Sequence, residues 1–304
     1  MIDFQKAEIN LYRVFDGANG NKISIYYDER LYMLKFPSYH PKENFDTKST
    51  INEHISCLIA KELGLNSQNT LLGMYNDKIV VACEDFQISG YKLVNFTSIK
   101  NSIVDSEKMG KGLNLNSILY TIENQKYVNK NKLKEFFWDT FILDSLIANG
   151  DRHNGNWGLL INETDKLCKI APIYDCGSSF HSHLNDEEML NIIENDKNTL
   201  NNLVMGKPNS AIKINNKQIN YYNFLTTTDN QDCLESLVKI TKKIDLTKIG
   251  KLIDEIEYMT DIHKKFIKTI LHERKTKILD KALILNNNIS KWTNKENIDK
   301  NLYR

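Results

Sequence analysis

The chain has 304 residues, of which 41% are hydrophobic and 26% charged, proportions that exclude a disordered or fibrous polymer and allow one large domain or two lobes, each with a core. Forty Lys and Arg residues balance 39 Asp and Glu, so no global field draws the molecule toward nucleic acid or an anionic membrane. The five cysteines, Cys57, Cys83, Cys168, Cys176 and Cys233, are scattered and never form C-x-x-C, which argues against both a disulfide framework and a zinc site.

The opening MIDFQKAEINLYR mixes charge and bulk too early for a secretory leader, and no apolar run approaches the roughly 20 residues of a membrane helix. The expected compartment is the cytoplasm, without membrane insertion. From residue 9 to 36, short runs of Tyr, Ile, Val and Phe broken at GANGN and DER predict a strand meander. A helix is expected from Thr50 to Leu63, stopped by Gly64 at the position that favours left-handed backbone. TLLGMYNDKIVVACEDF then reads as two strands split at Asn76-Asp77. Together these make a small sheet with one helix packed on it, and a boundary is expected near residue 90, giving a small lobe over 1–90 and a large one over 91–304.

Lys132 to Gly150 is apolar on nearly every face from Phe136 to Ala148, the pattern of a helix buried in a larger lobe. After Asp175 a polar, Asn-rich stretch runs to about residue 220, followed by helical periodicity through residues 246–259 and 263–285. Lys and Arg recur in the last helix with acids interleaved, so a solvated face is favoured over a nucleic-acid stripe. Residues 290–304 carry charge without period and read as a tail.

The strongest signal is NGDRHNGNWGLLINETDKLCKIAPIYDCG, residues 149–177. WGLLI and LCKIAPIY are strand-like and flank the turn-prone NETDK, so a hairpin is expected. Centred between Asp165 and Lys166, it sets Asn156 directly opposite Asp175, near enough for two side-chain oxygens to hold one magnesium ion together with substrate phosphates. A one-residue slip would turn the two side chains to opposite faces. Asp151 leaves the buried helix where the partial charge of the helix end disfavours a carboxylate. Arg152, a metal or an approaching hydroxyl would offset that, and an acceptor there suits phosphoryl transfer. For the isolated hexapeptide, a polar loop capping a core helix is the competing account.

D-R-H-x-x-N followed by D-x-G resembles the catalytic and metal-binding loops of the HipA-like serine/threonine protein kinases and, more distantly, of phosphatidylinositol 3-kinase-like enzymes. The resemblance has recognisable motifs over about residues 10–180 and only general helical character beyond. It implies an α+β, two-lobed protein-kinase-like fold, with an N-terminal antiparallel sheet plus helix and a mainly helical C-terminal lobe. It further implies ATP and Mg2+ as cofactors, a protein substrate, a monomeric enzyme, and export by a route that uses no cleaved leader. On it, Asp151 matches the catalytic aspartate, Asn156 and Asp175 the magnesium ligands, and His153 the histidine of the loop, where polarising a phosphate oxygen and bracing the loop are both open.

A kinase also needs a lysine for the α- and β-phosphates, paired with a helix glutamate. Lys35 shares a strand face with Leu31 and Met33, where its ammonium needs an anion. Glu53 lies on a second stripe of the helix with Cys57, Ala60 and Gly64, in close contact rather than open water. Lys35 and Glu53 are therefore the expected ion pair, with ordinary solvated side chains as the alternative. Glu84-Asp85-Phe86 resembles the family's hinge, in which the Glu84 carbonyl and the Phe86 amide read adenine; a plain loop is the other reading. DGANGNK, with Gly17, Asn19 and Gly20, lets backbone N–H groups approach phosphates, yet it is neither G-x-G-x-x-G nor Walker A, and a hairpin turn competes. His181 and His183 have zinc-compatible spacing but lack partners, so a surface loop is expected. Ser178 and Ser179 lie where activation loops begin, a place for autophosphorylation. A lipid kinase and a silent pseudokinase that serves as a binding module are the rival functions.

Overall fold

The computed structural model describes residues 2–15, 22–40, 45–104 and 109–286. Gly17, Asn19, Gly20 and the tail at 290–304 lie outside the described residues. The small lobe begins with a 3-10 turn at Phe4–Lys6 and strands β1 (Glu8–Ile9), β2 (Lys22–Tyr27) and β3 (Arg30–Lys35), then a two-residue ribbon of β4 (Tyr39–His40) and β5 (Phe45–Asp46). Helix α1 (Ser49–Glu62) follows, then β6 (Thr70–Tyr75) and β7 (Lys78–Glu84). The antiparallel order is β1-β2-β3-β7-β6. Gly64 terminates α1 as the sequence predicts, with φ of +73°, a conformation that costs glycine little.

Alternation along β3 and β7 separates two cores, because successive side chains point to opposite faces. Tyr32, Leu34, Val80 and Ala82 join Phe4 and Ile25 in a small outer cluster. Val81 and Cys83 point the other way, against Ile51, Ile55 and Ile59 of α1, and belong to a cluster that continues through the whole large lobe. Thus α1 is packed on both sides, which is why its stripe of Glu53, Cys57 and Ala60 is as buried as its isoleucines.

Beyond β7 come β8 (Lys92–Asn95), α2 (Phe96–Ile103), α3 (Leu115–Asn124), α4 (Lys130–Leu146), and the hairpin β9 (Gly158–Asn162) and β10 (Leu167–Ile170). A second sheet has the order β10-β9-β8. Gly158 permits it: a Cβ there would lie 2.3 Å from the Val94 carbonyl oxygen. The rest is α5 (Asp186–Glu194), α6 (Lys197–Asn201), a ribbon of β11 (Lys213–Ile214) and β12 (Lys217–Gln218), α7 (Tyr221–Thr227), α8 (Gln231–Lys243), α9 (Leu246–Asp254) and α10 (Asp261–Arg274), with π-helical turns at Asn202–Gly206 and Lys275–Asp280. Among the described residues no helix is long and apolar enough to cross a membrane.

Two expectations change. The hairpin pairs Leu167 with Asn162 and Ile170 with Leu159, so its turn centres between Thr164 and Asp165, and Asn156 does not face Asp175 across a ladder. The reason is Asn162, whose side-chain oxygen accepts from the Asp165 amide at 3.0 Å and opens the turn early, while Lys166 takes a φ of +54° to re-enter the strand. The shift is two residues, which preserves the face of every side chain. The polar stretch after Asp175 is also more ordered than its composition predicts, holding α5, α6, the π-helical turn at Asn202–Gly206 and the ribbon of β11 and β12.

Candidate active site

Lys35 ends β3 on the inner face, and its Nζ lies 3.2 Å from Glu53 Oε1 and 3.0 Å from Asp175 Oδ1. Burial opposes the Lys35 charge, but the carboxylates of Glu53 and Asp175 outweigh it and hold the ammonium well above the ordinary lysine value. Glu53, at 2% exposure, also accepts the Asp175 backbone N–H at 3.0 Å. One buried carboxylate therefore fixes both the lysine and the main chain of the aspartate. The Lys35 ammonium, against some burial, holds the Asp175 carboxyl below its ordinary range. Asp175 has φ of +57°, a left-handed backbone uncommon outside glycine, although aspartate tolerates it better than most residues, and here its surroundings hold it.

Arg152 imposes it. The guanidinium is buried, with Nε donating to Asp144 Oδ2 at 3.1 Å, Nη2 to Asp144 Oδ1 at 3.2 Å and to Cys176 Sγ at 3.0 Å. Its Nη1 donates to the Asn156 carbonyl at 2.9 Å and to the Tyr174 carbonyl. Asp144 is a carboxylate inside the apolar α4 and also accepts Asn149 Nδ2 at 2.8 Å. The loop 151–156 and the segment 174–176 are thus tied to one buried ion pair, and this clamp performs the alignment that the sequence assigns to a cross-strand pair. Sequence reasoning passes over it, although an acid in the last turn of the buried, mainly apolar half of α4 signals a buried partner.

Asn156 Nδ2 donates to the Asp151 carbonyl at 2.9 Å, which commits the amide nitrogen and leaves Oδ1 as the acceptor. Asn156 Oδ1 and the half-exposed Asp175 carboxylate make a hard-oxygen pair that fits magnesium, with room for waters and phosphate oxygens. His153 Nδ1 accepts the Gly155 N–H at 3.0 Å, so the neutral ring carries its proton on Nε2. Burial raises the Asp151 carboxyl, and Asp175 adds to the rise against the opposing pull of His153 and Arg152.

These groups line one crevice. A cavity of about 440 Å³ is bounded by Lys35, Glu53, Asp151, Asn156, Asp175 and Ser178. It shares Lys22, Lys35, His153, Asn156 and Asp175 with an adjoining cavity of about 430 Å³. Asp85 and Phe86 border that second space together with Met33, Leu93 and Tyr174, and the Phe86 and Tyr174 rings stand 5.6 Å apart. The Asp85 carboxylate is engaged by Arg13 Nε at 2.7 Å and by the Gln87 N–H. Glu84 differs, since its carbonyl accepts Gln68 Nε2 at 2.9 Å and its side chain accepts from Arg30 and Asn69. Its remaining carbonyl lone pair is what a hinge contact would use. His181 is buried, with Nε2 3.2 Å from the Leu203 carbonyl oxygen, whereas His183 is exposed; no group of three metal-ligating side chains occurs among the described residues.

Comparison with known proteins places the chain in a family. Residues 14–255 match the HipA-like C-terminal domain. The chain is 48% identical over 285 residues to the serine/threonine-protein kinase CtkA of Helicobacter pylori strain J99, covering 92% of this chain and 87% of that protein. It superposes on the crystal structure of a Helicobacter pylori proinflammatory kinase CtkA with a TM-score of 0.89 at 47% identity, covering 93% of this chain and 98% of that one. HipA of Shewanella oneidensis, solved with HipB and operator DNA, shares the fold with a TM-score of 0.57 at 14% identity over 90% of this chain and 70% of its own. A buried arginine clamp, a lysine between two carboxylates and a two-walled crevice therefore sit on a shared scaffold: the chain belongs to the HipA-like family and has its two-lobed kinase fold.

Proposed function

We propose that this chain transfers the γ-phosphoryl group of ATP, with magnesium, to serine or threonine hydroxyls of proteins. The observation that carries the reading is the single crevice in which Lys35, held by Glu53 and Asp175, faces Asp151 and Asn156. Residues 1–90 and 91–304 act as its two walls, with the base between Met33, Phe86, Leu93 and Tyr174. Lys35 binds phosphate oxygens, for which its ammonium is already desolvated and oriented. Asn156 Oδ1 and Asp175 are the residues that hold magnesium, which neutralises phosphate charge when bound. Asp151 orients the acceptor hydroxyl and takes its proton on a carboxylate oxygen as the oxygen attacks. His153 braces its loop through Gly155 and presents Nε2–H to the same space. That the similar CtkA is a serine/threonine-protein kinase supports a protein acceptor over a lipid one.

The test is magnesium-dependent transfer of labelled phosphate from ATP to a general protein acceptor such as casein, with phosphoinositide vesicles in parallel. Asp151→Ala and Asp175→Ala are expected to lose about 10² to 10⁴ of the rate with unchanged circular dichroism. Equal labelling by wild type and both variants would refute the assignment, and labelling of the vesicles alone would replace protein with lipid.

A further inference from the structure

The base-side cavity is lined by one side chain that the phosphate chemistry does not use. Gln68 lies in the short link between α1 and β6 and borders that cavity, although it is only 5% exposed. The link is fixed from two directions. The Ile173 N–H donates to the Asn66 carbonyl at 2.8 Å and the Gln68 N–H to the Ile173 carbonyl at 2.9 Å, two residues before Asp175. Ser67 Oγ donates to the Cys57 carbonyl of α1 at 2.8 Å. Gln68 therefore projects from backbone tied both to the helix of the small lobe and to the segment that carries Asp175.

The orientation of its amide is set by chemistry. Nε2 donates to the Glu84 carbonyl at 2.9 Å; a carbonyl only accepts, so the nitrogen faces it and Oε1 occupies the other branch. Among the described residues Oε1 accepts no hydrogen bond, and it is not sealed from solvent. Other side-chain acceptors at this end of the cavity are taken. Arg13 and the Gln87 N–H engage Asp85, the Leu93 N–H donates to Gln87 Oε1 at 2.8 Å, and the Ser98 N–H donates to Asn95 Oδ1 at 3.1 Å. A nearly buried amide oxygen without a donor thus stands beside a hinge carbonyl with one lone pair left. A ligand that brings two N–H donors on a single nitrogen satisfies both.

We infer that Gln68 selects the nucleobase: its Oε1 accepts one N–H of the 6-amino group of adenine while the Glu84 carbonyl accepts the other. The inference rests on the kinase reading and specifies which nucleotide that site takes. A 6-oxo purine such as guanine is refused, because its O6 would meet two acceptors, and a buried acceptor left without a donor is costly. Turning the Gln68 amide over gives no relief, since Oε1 would then confront the Glu84 carbonyl. Gln68 touches the base and none of the reacting atoms, so its loss falls on nucleotide affinity rather than on the transfer step.

The experiment is isothermal titration of the full chain with the magnesium salts of ATP, GTP and purine riboside triphosphate, which is ATP without its 6-amino group, with transfer to casein measured in parallel. Wild type is expected to bind ATP more tightly than either of the others by about tenfold or more. Gln68→Met and Gln68→Leu, which remove both hydrogen bonds at similar volume, are expected to bind ATP about tenfold more weakly and purine riboside triphosphate as wild type does. In casein transfer the change should appear in KM for ATP and not in kcat. An equal loss of affinity for ATP and purine riboside triphosphate would reduce Gln68 to a brace of the hinge and overturn the inference. So would wild-type binding that is indifferent to the 6-amino group, or GTP bound as tightly as ATP. Discrimination in the titration without transfer to any acceptor would leave the base selection standing and overturn the kinase reading, and no binding of any of the three would overturn both.

Discussion

Arg152 is the residue on which the geometry of the site turns. Its fork reaches a carboxylate, a thiol and two backbone carbonyls at once, something a lysine with a single ammonium cannot reproduce. Arg152→Lys is therefore expected to fold, because charge remains opposite Asp144, but to misplace Asn156 and Asp175 relative to each other. In steady-state kinetics we expect kcat to fall by about 10²-fold, the scale of a 1 Å misplacement, and the magnesium concentration for half-maximal rate to rise. A variant whose magnesium dependence is unchanged would limit Arg152 to a purely structural role. Arg152→Ala leaves Asp144 buried and uncompensated, and should cost about 3 to 5 kcal/mol of stability by denaturant titration. The convergence of Lys35, Glu53, Asp151, Asn156 and Asp175 on one cavity was legible in the sequence because these residue types have few other reasons to occur together in those motifs. The clamp was not, because a basic residue beside an aspartate looks like local charge balance until a helix eight residues away supplies the true partner.

At the scale of elements, the asparagines explain where composition misleads. Asn95, Asn114, Asn129, Asn185, Asn220 and Asn230 each stand at a helix N-cap and accept a backbone N–H of the first turn. A polar, Asn-rich stretch therefore reads as loop by composition while it is punctuation between short helices. Asn185 caps α5 in a reciprocal box with Glu188, so Asn185→Ala is expected to destabilise the protein by about 1 kcal/mol in urea titration, with transfer activity unchanged. The strand meander, α1, its glycine stop and the buried α4 were all legible, since each carries a periodicity of its own. Strand β8 was not: four residues gain their strand character only by pairing with β9. The hairpin register was legible in its parity and not in its phase, because the turn start depends on how one side chain, that of Asn162, folds back on the backbone.

Across the whole molecule, acid is the condition to which this fold is most exposed. Burial lowers His181 and His263 to about 3, aided by Arg274 for the first and Lys48 for the second. Neither ring nitrogen of His263 has a hydrogen-bond partner. Both histidines are neutral in the folded chain and protonate in the unfolded chain below about pH 6.5, so the unfolded state binds more protons and stability falls as pH drops from 6.5 toward 3. Each is expected to cost about 2 kcal/mol between pH 7 and pH 5, read as a fall in the urea midpoint. Burial and the Lys61 charge lower His54 to about 4 as well, so His263→Phe, which removes one of three such titrations, should flatten that slope by about a third; an unchanged slope would show that other groups govern it.

The two hydrophobic clusters divide the molecule unequally, and Lys35 lies on the seam. Its strand gives one side to the small outer cluster and the other to the large one, whereas Glu53 rides on a helix gripped from both directions. Fluctuations that open only the thin outer layer can draw the lysine away while its glutamate stays in place. On the proposed function, phosphate binding by Lys35 depends on the smaller of the two clusters, so loss of that cluster alone would remove it while the large core persists.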